Sequence, residues 1–364
     1  MDVQTTTTPA AAISPKHTFL IINCIILAVG NCGGPLLMRL YFIHGGKRIW
    51  LACCLQTVGW PIILFPLLIS YTRRRTTTTT TASRFFLKPH VLYSATAIGV
   101  VTGANNYLYA YGVNKLPVST SSLIVATQLI FTSSFSFLIV KQKFTAYSIN
   151  AVVLLTAGAV VLGLHSSGDR PAGESKGGYL SGFFMTVAAA AVFGFVLPMV
   201  QLMYMKAKQA LTYTLVLQVQ LVMCFSATAF CTVAMLINKD FQAIRREARA
   251  YELGETKYYL VLCFSPFIWQ CFFLGVIGVV FYSSSLLSGV ILTCTLPLTE
   301  ILAVIFYHEK FKAEKGVSLF LSLWGFISYF VGEAKKSKKN KRKNISSDDD
   351  HTKDIDSIHQ TIAP

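Results

Sequence analysis

"TFLIINCIILAVGNCGGPLLMRLYFI", residues 18–43, holds a single charged side chain, Arg39, and that near its end. An α-helix rises about 1.5 Å per residue, so roughly 20 apolar residues cross the hydrocarbon core of a bilayer. This stretch is long enough to do so. It follows a short polar segment, exceeds the length of a signal-peptide core and has no small-residue cleavage site after it, so it reads as a retained span. Further stretches of the same kind lie at 48–71, 91–113, 118–140, 146–165, 178–204, 212–237, 258–282, 287–307 and 316–332. The whole chain agrees: 53% of its 364 residues are hydrophobic and 13% charged, with a mean hydropathy of +0.54, outside the range of ordinary soluble domains. The expectation is an all-α membrane protein of ten spans with little room for a soluble domain.

The net charge of +16 would suit a nucleic-acid binder were it gathered on one face. Instead it flanks the spans, so no nucleic-acid partner is expected. With ten spans and a cytoplasmic N-terminus, 18 of the 32 Lys and Arg fall on the cytoplasmic side and 13 opposite, five of those in one polar loop at 238–257. The positive-inside rule is obeyed with both termini cytoplasmic. Residues 1–17 and 335–364 then read as disordered cytoplasmic ends. The latter pairs a basic block with an acidic one, suited to solvent and anionic headgroups. The threonine run at 76–81 is low-complexity linker, and 166–177 a flexible outer loop of turn-formers. All nine cysteines lie in predicted spans without disulfide or metal-ligand spacing, and behave as small apolar residues. No metal or cofactor is implied, and nothing points to an enzyme. Oligomeric state is left open, a monomer included.

A weak internal repeat follows. Aligning Lys143-Phe144 with Lys310-Phe311 sets Ser121 against Ser288 and Gln128 against Thr295. Units five spans apart must be oppositely oriented, the inverted arrangement of many transporters.

Three stretches carry a resemblance: "NCGGPLLMRLYFIHGGKRIWLACCLQTVGWPIILFPLL" at 31–68, "GANNYLYAYGVNKLPVSTSSLIVATQLIFTSSFSFLIVKQKF" at 103–144 and "LTCTLPLTEILAVIFYHEKF" at 292–311. They resemble the plant purine permeases, a branch of the drug/metabolite transporter superfamily, and the likeness runs from about residue 18 to 334. It implies ten transmembrane helices in two inverted five-helix repeats, 18–165 and 178–334, with the fifth and tenth helices peripheral and the others around a central cavity. It also implies proton-coupled uptake of purine bases and purine-like compounds: adenine, cytokinins, caffeine and, in some members, other alkaloids or vitamin B6. A plasma-membrane location fits that role.

The residues narrow the cargo independently. Of 16 acidic residues only Glu300 falls well inside a span, and no Lys or Arg does. Phosphorylated cargo needs cationic partners, so uncharged or weakly basic cargo fits better. A carboxylate in the bilayer centre is costly by a few kcal/mol, and desolvation favours its protonated form. Glu300 is therefore the proton-coupling candidate, a permanently protonated structural acid being the alternative.

Asn106 shares a helical face with Gly99, Thr102, Gly103 and Tyr109, whereas Asn105 points with Ile98, Val101 and Leu108. Asn106 is expected to face the cavity, where its amide complements a heterocycle's donor–acceptor edge. Gln128 offers the same chemistry, and either amide is also suited to an interhelical bond. Trp60, one turn after Gln56, and Trp269, beside Gln270, are the stacking candidates, with packing as the alternative. Tyr282 suits a gate or an interface belt. Gly33 and Gly34 precede Pro35, which cannot donate to the carbonyl of Asn31, so a hinge or close helix contact is expected. Pro297 likewise frees the carbonyl of Thr293, which shares a face with Gly289 and Glu300; Thr295 lies on another face. The reading is a proton-driven importer. A proton antiporter exporting alkaloid-like compounds uses the same acid, and a non-transporting receptor for a purine-like ligand is the remaining class.

Overall fold

A computed structural model describes residues 15–77, 87–116, 124–142 apart from 126, 144–164, 176–207, 212–307 and 323–332, with a few isolated positions besides. The chain termini at 1–14 and 336–364 and the linker at 166–175 lie outside the described residues. Within them every regular element is a helix. In order these are α1 (Pro15–Ile43), α2 (Ile49–Thr57), α3 (Pro61–Thr77), α4 (Pro89–Lys115), α5 (Gln128–Val140), α6 (Ala146–Leu164), α7 (Lys176–Met205), α8 (Tyr213–Ile237), α9 (Asp240–Ala250), α10 (Glu255–Tyr282) and α11 (Ser285–Tyr307), followed by α12 (Leu323–Gly332). Five stretches, His17–Ile43, Ile49–Ile69, Lys176–Met205, Tyr213–Ile237 and Glu255–Tyr282, are long and apolar enough to cross a membrane unaided. Shorter apolar helices and the more polar, 27-residue α4 complete the set. Large apolar side chains such as Phe65, Leu138 and Phe184 stand more than half exposed, as a lipid-facing surface requires.

Local chemistry places the helix ends. Thr212 caps α8 by accepting the Leu215 amide, and Pro89 opens α4, where its missing N–H is not needed. The second predicted span is not one helix. Pro61 cannot donate to Thr57, whose carbonyl is taken by the Trp60 amide at 3.3 Å, so the chain turns at 58–60 between α2 and α3. Pro35, Pro198, Pro266 and Pro297 are instead carried inside continuous helices.

The packing interleaves the two ends of the sequence. α1 lies on α10 and α11; α4 lies on α7 and α8; α5 touches α7 and α11; α2 touches α4, α8 and α10. Two seams run at backbone contact. A Cβ on Gly30 would land on the backbone of Phe272, and one on Gly275 would lie 2.5 Å from the Leu27 nitrogen, drawing α1 against α10. On α4 a Cβ at Gly99 would lie 2.5 Å from the Met223 carbonyl of α8, while Gly112 abuts Thr186 of α7. Outside this group α12 rests on α6, with Gly325 against Leu155 and Asn150 donating to Ser328 at 3.0 Å.

Side-chain clusters tie the helices together at both ends of the bundle. In the last turn of α1, Tyr41 donates to Glu247 of α9, which also accepts from the Tyr258 hydroxyl and the Lys47 amide, these two at 3.2 Å. Arg48 pairs with Asp240 at 3.3 Å and with Glu247 at 3.8 Å. Burial pushes the Asp240 carboxyl above its ordinary range, with Arg48 and Asn238 opposing. At the other end Phe19, Tyr213 and Tyr282 stack with centroids 6.0 to 6.3 Å apart. Beside them Gln201 accepts both the Ser285 amide at 2.8 Å and its hydroxyl at 2.6 Å. That hydroxyl's only proton is thereby used, so Ser136 is the donor in its 2.8 Å bond to Ser285.

Candidate functional site

Between α1, α2, α4, α5, α7, α10 and α11 lies a cavity of about 700 Å³, counting its open mouth. One wall is built of amides: Gln56 from α2, Asn105 and Asn106 from α4, and Gln128 at the start of α5, with Tyr109 one turn on from the asparagines and Asn31 on α1. Aromatic side chains add to the lining, with Trp269, Phe272 and Phe273 from α10 and Phe193 from α7. Val125, Ala189, Ala190, Leu292, Thr293, Leu296 and Pro35 fill the remainder. The rings brace one another: Trp269 meets Phe272 edge-on at 5.5 Å and Tyr109 at 6.4 Å, and Phe193 stacks on Phe272 at 5.8 Å.

The amide wall has unused capacity. Gln56 Nε2, Asn105 Oδ1 and Asn106 Nδ2 are buried without a protein partner, which is uncommon for side chains 2%, 6% and 3% exposed. The cavity thus combines two free donors and one free acceptor with a cluster of aromatic rings. Among the described lining residues none is Asp, Glu, Lys, Arg or His. Such a site suits a neutral planar heterocycle bearing both hydrogen-bond acceptors and a donor.

The predicted residues distribute as follows. Asn106, Gln128, Gln56, Trp269, Thr293 and Pro35 come together in the lining. Thr293 spends its hydroxyl proton on the Gly289 carbonyl at 3.0 Å. Gly33 and Gly34 pack on α10, where a Cβ would lie 2.8 Å from Ile268 and 2.9 Å from the Trp269 ring, so Gly34 seats a cavity wall. Pro297 lies within α11. Trp60 is not in the described lining; its ring meets Phe225 edge-on at 5.4 Å, beside the α2–α3 break. Gln270 is buried, both amide atoms lack protein partners, its Cβ packs beside Gly59 at that same break, and it is not in the described lining. Tyr282 belongs to the aromatic stack at the far end. Glu300 lies in α11, one turn beyond Leu296, and its side chain is outside the described residues.

Tyr109 follows from the face it shares with Asn106; residues not put forward for the site include Asn31, Asn105, Phe193, Phe272 and Phe273. Consecutive helical residues stand about 100° apart, and the cavity subtends enough of α4 to reach both asparagines. The signal for Phe272 and Phe273 was present, since they follow Trp269 by three and four residues and so share its face. For Phe193 there was none.

A family profile described as purine nucleobase transmembrane transport matches residues 18–339. The chain is 55% identical over 325 residues to purine permease 3 of Arabidopsis thaliana, covering 89% of this chain and 93% of that protein. To purine permease 2 of the same plant it is 52% identical over 339 residues, covering 90% and 95%. A solved crystal structure superimposes with a TM-score of 0.59 at 13% identity, over 84% of this chain and 96% of that one, a likeness of fold alone.

Proposed function

The chain belongs to the family of purine nucleobase transmembrane transporters, and from that premise we propose that it imports purine bases and purine-like compounds by proton-coupled alternating access. Adenine and cytokinins fit best, with caffeine and related alkaloids also in range. The observation that carries the reading is one cavity lined by amides with unpaired donors and acceptor and by mutually braced aromatic rings. A neutral heterocycle satisfies the amides and stacks on the rings at about 1–3 kcal/mol per base. Glu300 is the proton carrier in this reading.

Ten spans in two inverted five-helix halves, 18–165 and 178–334, suit the packing pattern. If α2 and α3 count as one span and α9 as none, exchanging each span with the one five places away turns the α1–α10 contact into α7–α4. The same exchange turns α1–α11 into α7–α5, and α4–α8 into α10–α2; every one of these pairs is in contact. Residence in the plasma membrane with both termini cytoplasmic completes the reading. Its check is Asn344, the only Asn-X-Ser/Thr site in the chain, expected to stay unglycosylated; endoglycosidase-sensitive mass there reverses the orientation.

Labelled adenine uptake is expected in cells lacking their own purine permease, and a protonophore is expected to abolish accumulation. Uptake that survives the protonophore overturns the coupling, export identifies the antiporter, and binding without movement identifies a receptor. Recognition has a sharper test. Asn106→Ala removes a hydrogen-bond partner in a dehydrated cavity, at a cost of about 1–3 kcal/mol, or roughly five- to a hundredfold in adenine affinity. Trp269→Ala is expected to weaken adenine comparably and Trp269→Phe much less, while Trp60→Ala leaves affinity nearly unchanged. An equal loss at Trp60 and Trp269, in protein of normal abundance, overturns the assignment of the aromatic wall.

A further inference from the structure

Asn31 does two things at once. Its side chain lines the cavity, and its Nδ2 donates across to α11, to the Thr295 hydroxyl at 2.6 Å and the Leu292 carbonyl at 3.1 Å. The roles at Thr295 are fixed by proton count. Its Oγ1 lies 3.0 Å from the carbonyls of Ile291 and Leu292, to which its single proton goes, so toward Asn31 it is purely an acceptor. With both amide protons of Asn31 turned to α11, Oδ1 is the atom left to offer a cargo donor. The same turn of α11 is tied to α1 again, because Cys32 Sγ lies 3.7 Å from the Thr295 carbonyl, which also accepts from Thr299.

We propose that Asn31 is a positioning residue for coupling: a strap through Thr295 that transmits cargo occupancy to α11, the helix that carries Glu300. The proposal rests on the reading of Glu300 as proton carrier. Thr295 and Glu300 are separated by about 7.5 Å of helix rise. Between them sits Pro297, which leaves the Thr293 carbonyl without its helical donor and makes this the compliant part of α11. A donor on the cargo that engages Asn31 Oδ1 polarises the amide and tightens its grip on Thr295. The segment before Pro297 is then fixed to α1, while the segment after it, with Glu300, is free to reorient. Asn31 is the cavity amide that bonds to α11, whereas Gln56 Nε2, Asn105 Oδ1 and Asn106 Nδ2 have no protein partner.

Thr295 lies outside the cavity lining, which allows the strap to be cut without touching the cargo. The full-length protein in proteoliposomes is assayed with adenine for equilibrium binding, for exchange without a proton gradient and for accumulation driven by one, across external pH, as wild type, Thr295→Val, Thr295→Ser and Glu300→Gln. Thr295→Val keeps the shape and removes the acceptor. It is expected to bind and exchange adenine within about threefold of wild type, yet to accumulate at least tenfold less with a flattened pH profile. Thr295→Ser is expected to restore accumulation. Wild-type accumulation and pH profile in Thr295→Val, or binding and accumulation falling in proportion, overturns the strap. So does equal loss in Thr295→Ser, which makes the site merely steric. Loss in Glu300→Gln alongside wild-type behaviour in Thr295→Val defeats the strap alone; continued accumulation by Glu300→Gln defeats the proton reading and the strap with it.

Discussion

Glu300→Gln is expected to abolish proton-driven accumulation of adenine while leaving a folded protein that still exchanges it. The amide matches the carboxyl in size and hydrogen-bonding reach but has no proton to release within the transport cycle. On the proposed reading the Glu300 carboxyl crosses in its neutral form, since a charge carried through the apolar part of a bilayer costs at least a few kcal/mol. Loading and unloading a proton is what distinguishes it from glutamine. In vesicles with an imposed proton gradient the variant should only equilibrate adenine, and its rate should lose pH dependence over the range where wild type responds. Accumulation against a gradient by Glu300→Gln, with the wild-type pH profile, removes Glu300 from the mechanism and leaves it as a structural acid.

The second large effect is expected on folding. Gly30→Ala and Gly275→Ala each put a methyl group where the opposite helix has backbone: the Phe272 amide in one case and the Leu27 nitrogen, at 2.5 Å, in the other. Backbone cannot rotate aside as a side chain does, so α1 and α10 must separate along their seam. Overpacking of this kind costs about 1–3 kcal/mol, sometimes more, and valine should be worse than alanine at both positions. The expected observations are a lower thermal midpoint, reduced surface abundance and, in protein that survives, weaker adenine binding, because Phe272 belongs to the cavity wall. Gly177→Ala, with nothing within 4 Å of the added methyl, is the matched control. Alanine variants at 30 and 275 with wild-type midpoints would mean that the two helices are further apart than their backbones indicate.

Membrane spans were readable because hydrocarbon imposes one composition on every lipid-facing turn; α1, α7, α8 and α10 stand where the apolar runs put them, within a few residues. The break between α2 and α3 was missed although its cause, Gly59-Trp60-Pro61, stood in plain view. A proline in a span is as compatible with a continuous helix, as at Pro35, as with a turn, and the neighbours decide. Cavity-lining residues were legible to the extent that one helix decides its own face. Asn106 could be found from its companions on α4. Asn105 could not be, since its exposure to the cavity depends on how wide an arc α2, α7 and α10 leave open. Trp60 looked like a stacking residue by chemistry and depth, but the turn before Pro61 carries its ring to Phe225. Thr295, set aside because it does not share a face with Glu300, meets Asn31 for that very reason: the side of α11 that turns from Thr293 faces α1.

The bond from Tyr41 to Glu247 closes across 206 residues of sequence, and that separation governs how the protein is made. At a synthesis rate of roughly 5–20 residues per second, α1 is made on the order of 10–50 s before the ribosome has finished α10, the helix it will lie against. Through that interval the Gly30 and Gly34 side of α1 faces lipid or a helper protein, and α4 waits similarly for α7 and α8. Neither half therefore holds its own complement of neighbours. A chain stopped after α6 leaves two glycine grooves vacant, whereas two half-chains supplied together from separate messages have every groove filled.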